Sequence, residues 1–321
     1  MQTFRDLLQV QLAQPTVLTI GTFDGLHRGH QSLVKQLKAA AAKRQAQAAV
    51  IAFHPRPKAV FASHKFGQDY LTSAEERIRL FEAVGIDVLL LIPFTLELAQ
   101  ITAFDFMKLL VERLKVIELW AGHDFALGKG REGTIDKLTE IGQDLGYAVH
   151  EFDPFLLKDE IVSSTHIRQL LTQGNVRQAA HLLGRYASLR SQVVQGAQRG
   201  RTIGFPTANL AIPAEKLLPL NGVYATFVQF EGNSRRYPSV TNVGVRPSFD
   251  GTGERTVEVY IFDFDRSIYG ETLTLEFVEH LRPEKKFSGI HELKAQIAQD
   301  ATEARRILME EVRQTSSAVT P

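Results

Sequence analysis

The stretch Thr16-Val-Leu-Thr-Ile-Gly-Thr-Phe-Asp-Gly-Leu-His-Arg-Gly-His30 joins an apolar run to a glycine-containing turn and to the start of a helical pattern. Residues 16–20 have the length and the β-branched composition of a buried strand. In residues 31–43 the apolar side chains recur every three or four positions, as they do in a helix that packs on a sheet. The stretch therefore predicts the first βα unit of a parallel sheet.

The same alternation continues to about residue 152. Short apolar runs and helical patterns follow each other in turn, which predicts five parallel strands covered by helices. The predicted strands are 16–20, 48–53, 88–92, 117–121 and 148–152, and the predicted helices are 31–43, 73–84, 104–114 and 134–145.

The second half of the chain has a different pattern. Two short helical patterns, 165–171 and 176–183, are each followed by a glycine where helices commonly end. Between residues 193 and 278, alternating strands are interrupted by Gly, Pro and Asn, which predicts a small antiparallel barrel. The clearest strands are 223–230, 256–262 and 272–278, a final helix covers about 290–312, and the tail from 314 onwards is expected to fray.

Length and composition limit the possible classes of protein. A chain of 321 residues exceeds the roughly 250 to 300 residues that one core supports, so two domains are expected, with a boundary between 184 and 190. The 37 Lys and Arg nearly balance the 36 Asp and Glu, which gives no reason to expect a nucleic-acid or membrane-surface partner. The absence of cysteine excludes disulfides, thiolate metal sites and cysteine nucleophiles.

The chain also lacks the sequence signals of export or membrane insertion. Its first residues do not have a basic segment followed by an apolar run. No stretch approaches the roughly 20 apolar residues that a bilayer span needs. We therefore expect a cytoplasmic protein.

Residues 21–30 are a candidate phosphate site. Backbone amides at a helix start bind anions, and glycine lets a phosphate approach the chain. His27 and His30, three residues apart, are expected on one side of the first helical turn, where imidazoles can donate to the oxygens of a triphosphate. The alternatives are two surface histidines in a loop, or a zinc pair, for which the local sequence offers no third ligand.

A second group of side chains that can donate hydrogen bonds to a phosphate lies near residue 163. Ser163, Ser164 and Thr165 offer hydroxyls and helix-start amides, and Arg168 adds a guanidinium. Taken alone, this could be an ordinary helix cap. Together with the histidine motif it predicts the other half of a triphosphate clamp.

Residues 128–133 match the GxGxxG pattern, and Glu151 and Asp153 follow at about 20 residues, as in a dinucleotide-binding fingerprint. However, five residues separate this pattern from the preceding strand, whereas a true fingerprint turns directly from strand to helix. A basic loop near the nucleotide is the preferred interpretation, and an NAD site is the alternative. No GxxxxGK[ST] segment is present, so a kinase activity would need another phosphate-binding design.

Residues 196–209 are the third candidate site. Three glycines alternate with two arginines ahead of Pro206-Thr-Ala-Asn209, and such a cationic loop can cover phosphates. Oxygens of Thr207 and Asn209 can help to hold Mg²⁺, which prefers hard oxygen ligands. The alternative is a long hairpin loop on a barrel.

The motif at 21–30 resembles the phosphate-binding motif of the nucleotidyltransferase superfamily, and in particular the prokaryotic riboflavin kinase/FAD synthetase family. Residues 54–55, 122–128 and 163–168 resemble the adenylyltransferase module of that family, and 196–209 resembles its riboflavin kinase signature. Further matches in order are 221–224, 242–248, 257–259, 269–270 and 281–287, so the resemblance covers about 16–300. The departures are at Leu127, Tyr186-Ala187, Ser191 and Ser248, and none of them removes a proposed catalytic position.

The resemblance implies a fold and two activities. The expected fold is an α/β nucleotidyltransferase domain, with a Rossmann-like parallel sheet and helices, followed by a small antiparallel β-barrel of riboflavin kinase type with a C-terminal helix. The implied domains are 1–186, an FMN adenylyltransferase (FAD synthetase) domain, and 187–321, a riboflavin kinase domain. The implied ligands are riboflavin, FMN, FAD, ATP and Mg²⁺, and the oligomeric state is left open. The alternatives are that only the kinase step is active, or that the protein is a flavin or nucleotide sensor without turnover.

The resemblance also assigns site residues. Glu258 would be the base that activates the ribityl hydroxyl of riboflavin, although a solvated strand carboxylate is the alternative; His27 and His30 would act in adenylyl transfer. The expected ATP and phosphate contacts of the adenylyltransferase are Gly21, Phe23, Asp24, Gly25, Gly29, Ser163, Ser164, Thr165 and Arg168, and its flavin or nucleotide loop contains His54, Asp124 and Phe125. In the kinase, the phosphate contacts are Gly196, Arg199, Gly200, Arg201, Gly204 and Pro206, the metal ligands are Thr207 and Asn209, and the flavin contacts are Arg246 and Arg282.

Overall fold

The computed structural model describes residues 1–61, 69–153, 155–157, 160–196, 200, 204–246 and 253–317. It divides into two compact units, Met1–Ser164 and Thr165–Pro321. Within the described ranges, no helix combines the length and the apolar character needed to cross a membrane.

The first unit is built on a six-stranded parallel sheet in the order β1-β4-β3-β2-β5-β6. The strands are β1 (Gln2–Phe4), β2 (Thr16–Gly21), β3 (Gln47–Phe53), β4 (Val88–Ile92), β5 (Val116–Gly122) and β6 (Ala148–Phe152). The helices are α1 (Arg28–Arg44), α2 (Pro57–Phe61), α3 (Ala74–Val84), α4 (Ala103–Leu114) and α5 (Ile135–Leu145), and a small hairpin pairs β7 (Leu156–Leu157) with β8 (Glu160–Ile161).

Both faces of the sheet are buried. Leu18 and Ile20 of β2 pack into one core with side chains of α4 and α5, whereas Val17 packs into the other core with side chains of α1 and α3. This explains why the strands are nearly continuous apolar runs. The five predicted strands are confirmed. The edge strand β1 escaped prediction because three residues are too short to show a periodic pattern.

The second unit contains a closed barrel of six antiparallel strands in the order β10-β13-β12-β11-β14-β9. The strands are β9 (Ala187–Val194), β10 (Ala208–Leu210), β11 (Gly222–Phe230), β12 (Arg236–Arg246), β13 (Glu254–Ile261) and β14 (Thr272–Arg282). Helix α6 (Ser164–Thr172) leads into this unit, α7 (Val176–Leu183) follows, and α8 (Ile290–Ser317) packs on the barrel through Ala304, Ile307 and Leu308.

The predicted barrel and closing helix are confirmed, but three details differ. Strand β9 begins at Ala187, six residues before the predicted start, and α8 continues to Ser317 instead of fraying from residue 314. The sequence pattern also did not reveal β12. The reason is that buried Ser239 and Thr241 replace apolar residues on this strand, and both lie 2.7 Å from the Thr226 hydroxyl. The domain boundary at 186/187 stays a prediction.

Candidate active sites

The chain leaves β2 in a tight loop and enters α1. Phe23, Gly25 and Leu26 all have left-handed backbone angles, with φ of 48°, 82° and 36°. His27 is the N-cap of α1, and its Nδ1 accepts a hydrogen bond of 3.4 Å from the backbone N–H of His30. Helix α1 therefore begins at Arg28, three residues earlier than the periodicity indicates, and the helix start lies inside the candidate phosphate motif.

The two histidines are brought together as expected. Their rings stack with centroids 3.7 Å apart and planes at 20°, and the Phe23 ring lies 5.0 Å from that of His30. His27 is 5% exposed and His30 is half-buried. In the described part of the chain, no three His, Cys, Asp or Glu side chains group as a metal site. The geometry places a pair of imidazoles at the positive end of a helix.

The glycines of the loop make room for these rings. A Cβ atom at Gly29 would lie 3.2 Å from the His27 ring, and one at Gly21 would lie 3.0 Å from the Phe23 ring. Both distances are shorter than ordinary van der Waals contacts. The absence of a side chain at Gly21 and Gly29 therefore serves the packing of the loop.

Asp24 faces the protein interior. It is 1% exposed, and its carboxylate accepts hydrogen bonds from the backbone N–H groups of Leu71 and Thr72, at 3.1 and 3.0 Å. Its backbone carbonyl accepts a hydrogen bond of 2.8 Å from the Ser164 hydroxyl. The structure thus brings the start of α6, with Ser163 and Ser164, to the loop of residues 22–27 between β2 and α1, which we call the histidine loop. Thr165 and Arg168 follow in the first turns of the same helix.

A cavity of about 530 Å³ opens where the parallel strands end. This edge is where ligands bind in open α/β sheets. Phe125 lines the cavity as expected, whereas His54 and Asp124 do not. The His54 ring packs 4.9 Å from that of Tyr70, and the exposed Asp124 accepts a hydrogen bond from Arg131 through its backbone carbonyl. The large apolar side chains in its wall include Ile20, Phe53, Phe94, Phe106, Phe125 and Leu127.

The GxGxxG segment has a structural explanation. A Cβ atom at Gly128, where φ is 77°, would lie 2.5 Å from the backbone nitrogen of Ala103, so the loop packs directly against the start of α4. The Glu132 carboxylate accepts a 2.8 Å hydrogen bond from that nitrogen. Earlier in this loop, a hydrogen bond to Glu151 raises the pKa of exposed His123. The segment is a packed basic loop at the cavity rim, where Arg131 lies.

Among the described residues, we consider two cavities that adjoin the barrel. One, of about 290 Å³, is lined by Glu258 and Tyr260 of β13 and by Leu293 and Ile297 of α8. The other, of about 470 Å³, is lined by Pro206, Arg266 and Tyr269, among others. Thr207 belongs to the walls of both cavities. Thr207 is therefore the point at which the two cavities adjoin.

Glu258 lies in register with Asn209 of β10 on one side and with Asn242 of β12 on the other. This places the candidate base beside a candidate metal ligand. Arg282 lines the smaller cavity, and its guanidinium is held by Asp300 of α8, with Nη2 2.7 Å from Oδ2. Arg199, Arg201 and the side chain of Arg246 lie outside the described residues.

Glycines 196 and 200 pack against the Pro-Thr-Ala-Asn segment. A Cβ atom at Gly196 would lie 2.2 Å from the amide nitrogen of Asn209, and one at Gly200 would lie 2.3 Å from the carbonyl oxygen of Phe205. Gly204 has a left-handed φ of 87°. Gly200 is thus required because the Phe205 backbone approaches it closely, and Gly204 because of its turn conformation, whereas a side chain at Gly196 would displace the Asn209 amide.

Several residues near the sites were not found from the sequence. Thr72 and Arg77 contact the buried Asp24 carboxylate of the histidine loop. Phe94 lines the cavity of the first unit, and Asp300 accepts hydrogen bonds from the Arg282 guanidinium. The only local signal was the Ser73–Glu76 capping box, which marks the start of α3 but says nothing about Arg77. Contacts between distant segments leave no periodic trace in the sequence.

The first unit has a Rossmann-like sheet with a glycine loop that carries two histidines, and the second has a barrel with a carboxylate in the wall of a cavity. These features define a two-domain transferase that uses a nucleotide. Residues 9–166 match the family model for FAD synthetase, and residues 183–308 match that for riboflavin kinase. The chain belongs to the family of bifunctional riboflavin kinase/FMN adenylyltransferases.

Relatives with this name cover nearly the whole chain. The one from Escherichia coli K12 is 38% identical over 290 residues, which is 90% of this chain and 91% of the relative. The one from Bacillus subtilis is 35% identical over 91% of this chain and 92% of its own length. Among solved structures, a protein from Streptococcus pneumoniae described as a macrolide-efflux protein is similar, with a TM-score of 0.85 and 31% identity, over 94% of this chain and 98% of that one.

Proposed function

We propose that the barrel converts riboflavin and ATP to FMN and ADP, and that the first unit converts FMN and ATP to FAD and pyrophosphate. The observation that carries the proposal is that a glycine-containing loop lines a cavity in each unit, through Gly128 and Gly130 in the first unit and Gly200 in the second. The family membership supports the same pair of reactions. The proposed domains remain 1–186 and 187–321, and the use of ATP supports a cytoplasmic location.

In the kinase reaction, riboflavin would occupy the smaller barrel cavity and ATP the larger one. Glu258 would accept the proton of the ribityl hydroxyl as its oxygen attacks the γ-phosphorus, because a positioned carboxylate assists an alcohol nucleophile. The bond from the γ-phosphorus to the β,γ-bridging oxygen breaks, and ADP leaves. Thr207, which lies in both walls, would position the two substrates at the point of transfer.

The residues at the barrel site fit a divalent cation. Thr207 and Asn209 offer neutral oxygens, which are hard ligands suited to Mg²⁺, and no side chain at Gly196 crowds the Asn209 amide. The ion would neutralise charge on the phosphates. Asn209 is next to Glu258 in the sheet, so the same strand pair would place the metal ligand and the base.

In the adenylylation, the flavin ring of FMN would occupy the apolar cavity of the first unit. Its phosphate attacks the α-phosphorus of ATP and pyrophosphate leaves. A phosphate monoester has a second pKa of about 6, so the nucleophile is already ionised and needs no base. His27, His30, Ser164, Thr165 and Arg168 would position the triphosphate and stabilise the charge of the transition state.

Chromatography of flavins after incubation of the purified chain with riboflavin, ATP and Mg²⁺ tests the proposal. We expect FMN to appear first and FAD to follow, and no product without the metal. FMN alone would restrict catalysis to the barrel. Unchanged riboflavin would contradict the proposal and favour a flavin or nucleotide sensor.

Replacement of Gly200 by alanine is expected to impair the kinase step. The new Cβ would collide with the Phe205 carbonyl and displace the backbone next to Thr207. Misplacement of an active-site group by about 1 Å can cost on the order of 10²-fold in rate, so we expect kcat/KM to fall by up to about that factor. Steady-state phosphorylation of riboflavin measures the effect. Gly289→Ala is the matched control, since that position has open space, and equal losses in both variants would refute the explanation.

Truncation of Phe125 to alanine is expected to raise the KM for FMN in adenylylation by about tenfold or more. The reason is the loss of apolar contact area from the wall of the flavin cavity. Riboflavin phosphorylation should not change. The exposed Phe104, which does not line the cavity, provides the control variant Phe104→Ala. An unchanged KM for FMN in Phe125→Ala would place the flavin elsewhere.

A further inference from the structure

The histidine loop is held in a backbone conformation that most residues avoid. Phe23 and Leu26 are not glycines, yet both have left-handed φ angles, and Gly25 between them does as well. Such a conformation is unfavourable for residues with a Cβ atom and persists only when the surrounding structure enforces it. The loop therefore needs an external support.

The support comes from the segment before α3. The Thr72 hydroxyl accepts a hydrogen bond of 3.0 Å from the backbone N–H of Gly25 and lies 3.1 Å from Oδ1 of Asp24, to which it donates. The backbone N–H groups of Leu71 and Thr72 also donate to the Asp24 carboxylate. Two consecutive residues of the loop are thus fastened to Thr72 from behind.

Arg77 completes this buried network. Its side chain is fully buried, and its guanidinium lies 3.5 Å from the Asp24 carboxylate and donates to the carbonyl oxygens of Phe53, at 3.1 Å, and Thr72, at 3.3 Å. A buried charge is tolerated when an opposite charge and hydrogen bonds compensate it. Arg77 therefore connects the loop, the end of β3 and the segment before α3.

The same network extends to the start of α6, because the Asp24 carbonyl accepts the hydrogen bond from Ser164. Thr72 is 4% exposed, Asp24 is 1% exposed and Arg77 has no exposed surface. None of the three is positioned at the surface to contact a nucleotide. Their effect on a bound nucleotide must pass through the loop.

We propose that Thr72, Asp24 and Arg77 are positioning residues for ATP in the adenylylation reaction, and that they set the conformation of residues 23–27. This inference rests on the proposed function of the first unit. It also changes the role expected for Asp24, from a phosphate contact to an internal support of the phosphate loop. Thr72 and Arg77, which lie outside the glycine and histidine motif, thereby determine how well the motif binds a triphosphate.

The decisive variant is Thr72→Val, which keeps the volume of the side chain but leaves the Gly25 N–H without its hydroxyl acceptor. With FMN and ATP as substrates, so that the barrel reaction is bypassed, we expect the KM for ATP to rise about tenfold or more and kcat to fall. The KM for FMN should stay within threefold. A smaller folded fraction would lower kcat but would not move the KM for ATP. Thr72→Ser, which restores the hydroxyl, should return all three parameters to within threefold of wild type.

Hydrogen exchange gives a readout that does not depend on turnover. We expect Thr72→Val to accelerate exchange in a peptide covering 21–31, while a peptide covering β4 stays protected. Should β4 also lose protection, the unit has unfolded, and Thr72→Ala, which removes the hydroxyl without placing a second methyl group beside the Asp24 carboxylate, takes the place of Thr72→Val. The proposal is overturned if the substituted chain keeps the wild-type KM for ATP and the wild-type rate of hydrogen exchange in the 21–31 peptide. It is also overturned if the KM for ATP rises as much in Thr72→Ser as in Thr72→Val. A wild-type chain that forms no FAD would contradict the proposed function, and the exchange result would still decide the role of Thr72.

Discussion

Replacing Glu258 by glutamine is expected to lower kcat for riboflavin phosphorylation by about 10²- to 10⁴-fold, the usual contribution of a general base. Glutamine keeps the size of the side chain and its place in β13 but cannot accept the proton of the ribityl hydroxyl. The KM for ATP should change little, because the nucleotide would bind in the other barrel cavity, which Glu258 does not line. Initial rates of FMN formation measure the effect.

Two controls make this experiment specific. Glu254→Gln alters an exposed carboxylate on the same strand and should leave phosphorylation unchanged. The Glu258→Gln chain should also still convert supplied FMN to FAD, since that reaction is assigned to the other unit. If Glu258→Gln retains more than about a third of the wild-type kcat, proton transfer to Glu258 is not part of the mechanism.

The double substitution His27→Asn with His30→Gln is expected to abolish FAD formation while FMN accumulates. Removing one donor to a transition-state oxyanion typically costs 10²- to 10³-fold in kcat, so the loss should be at least about 10²-fold. Asparagine is a good N-cap and can still accept the hydrogen bond that His27 receives from the N–H of residue 30. Loss of activity would then reflect the missing imidazoles and not a frayed helix.

Chromatography of the flavin products over time measures this effect. His150→Gln is the matched control, because it removes a histidine of the same unit that lies on β6, outside the proposed site. Equal losses of FMN and FAD formation in the double variant would mean that the histidines serve both reactions or that the chain is misfolded. Near-normal FAD formation would remove the histidines from the mechanism.

The features that the sequence revealed are local ones. The parallel sheet follows from apolar runs that are buried on both faces, and the glycine and histidine loop follows from residues that are close together in the chain. The Pro-Thr-Ala-Asn segment and its preceding glycines are also contiguous. Strand β12 could not be predicted from apolar alternation, because its buried positions include the polar residues Ser239 and Thr241. Hydrogen bonds to Thr226 compensate the burial of their hydroxyls.

The sequence by itself therefore determined the two-domain plan, the order of the main elements and the motifs to which we assign phosphate chemistry, because backbone conformation and periodicity depend on neighbouring residues. Only the tertiary structure decided that Asp24 faces Thr72 and Arg77, that Thr207 borders two cavities, and that α8 supplies a wall of one of them. These relations join residues about 50 to 90 positions apart in the chain, or belong to the shape of a cavity. Strand register, burial and side-chain direction set them, and none of these can be inferred from a local pattern.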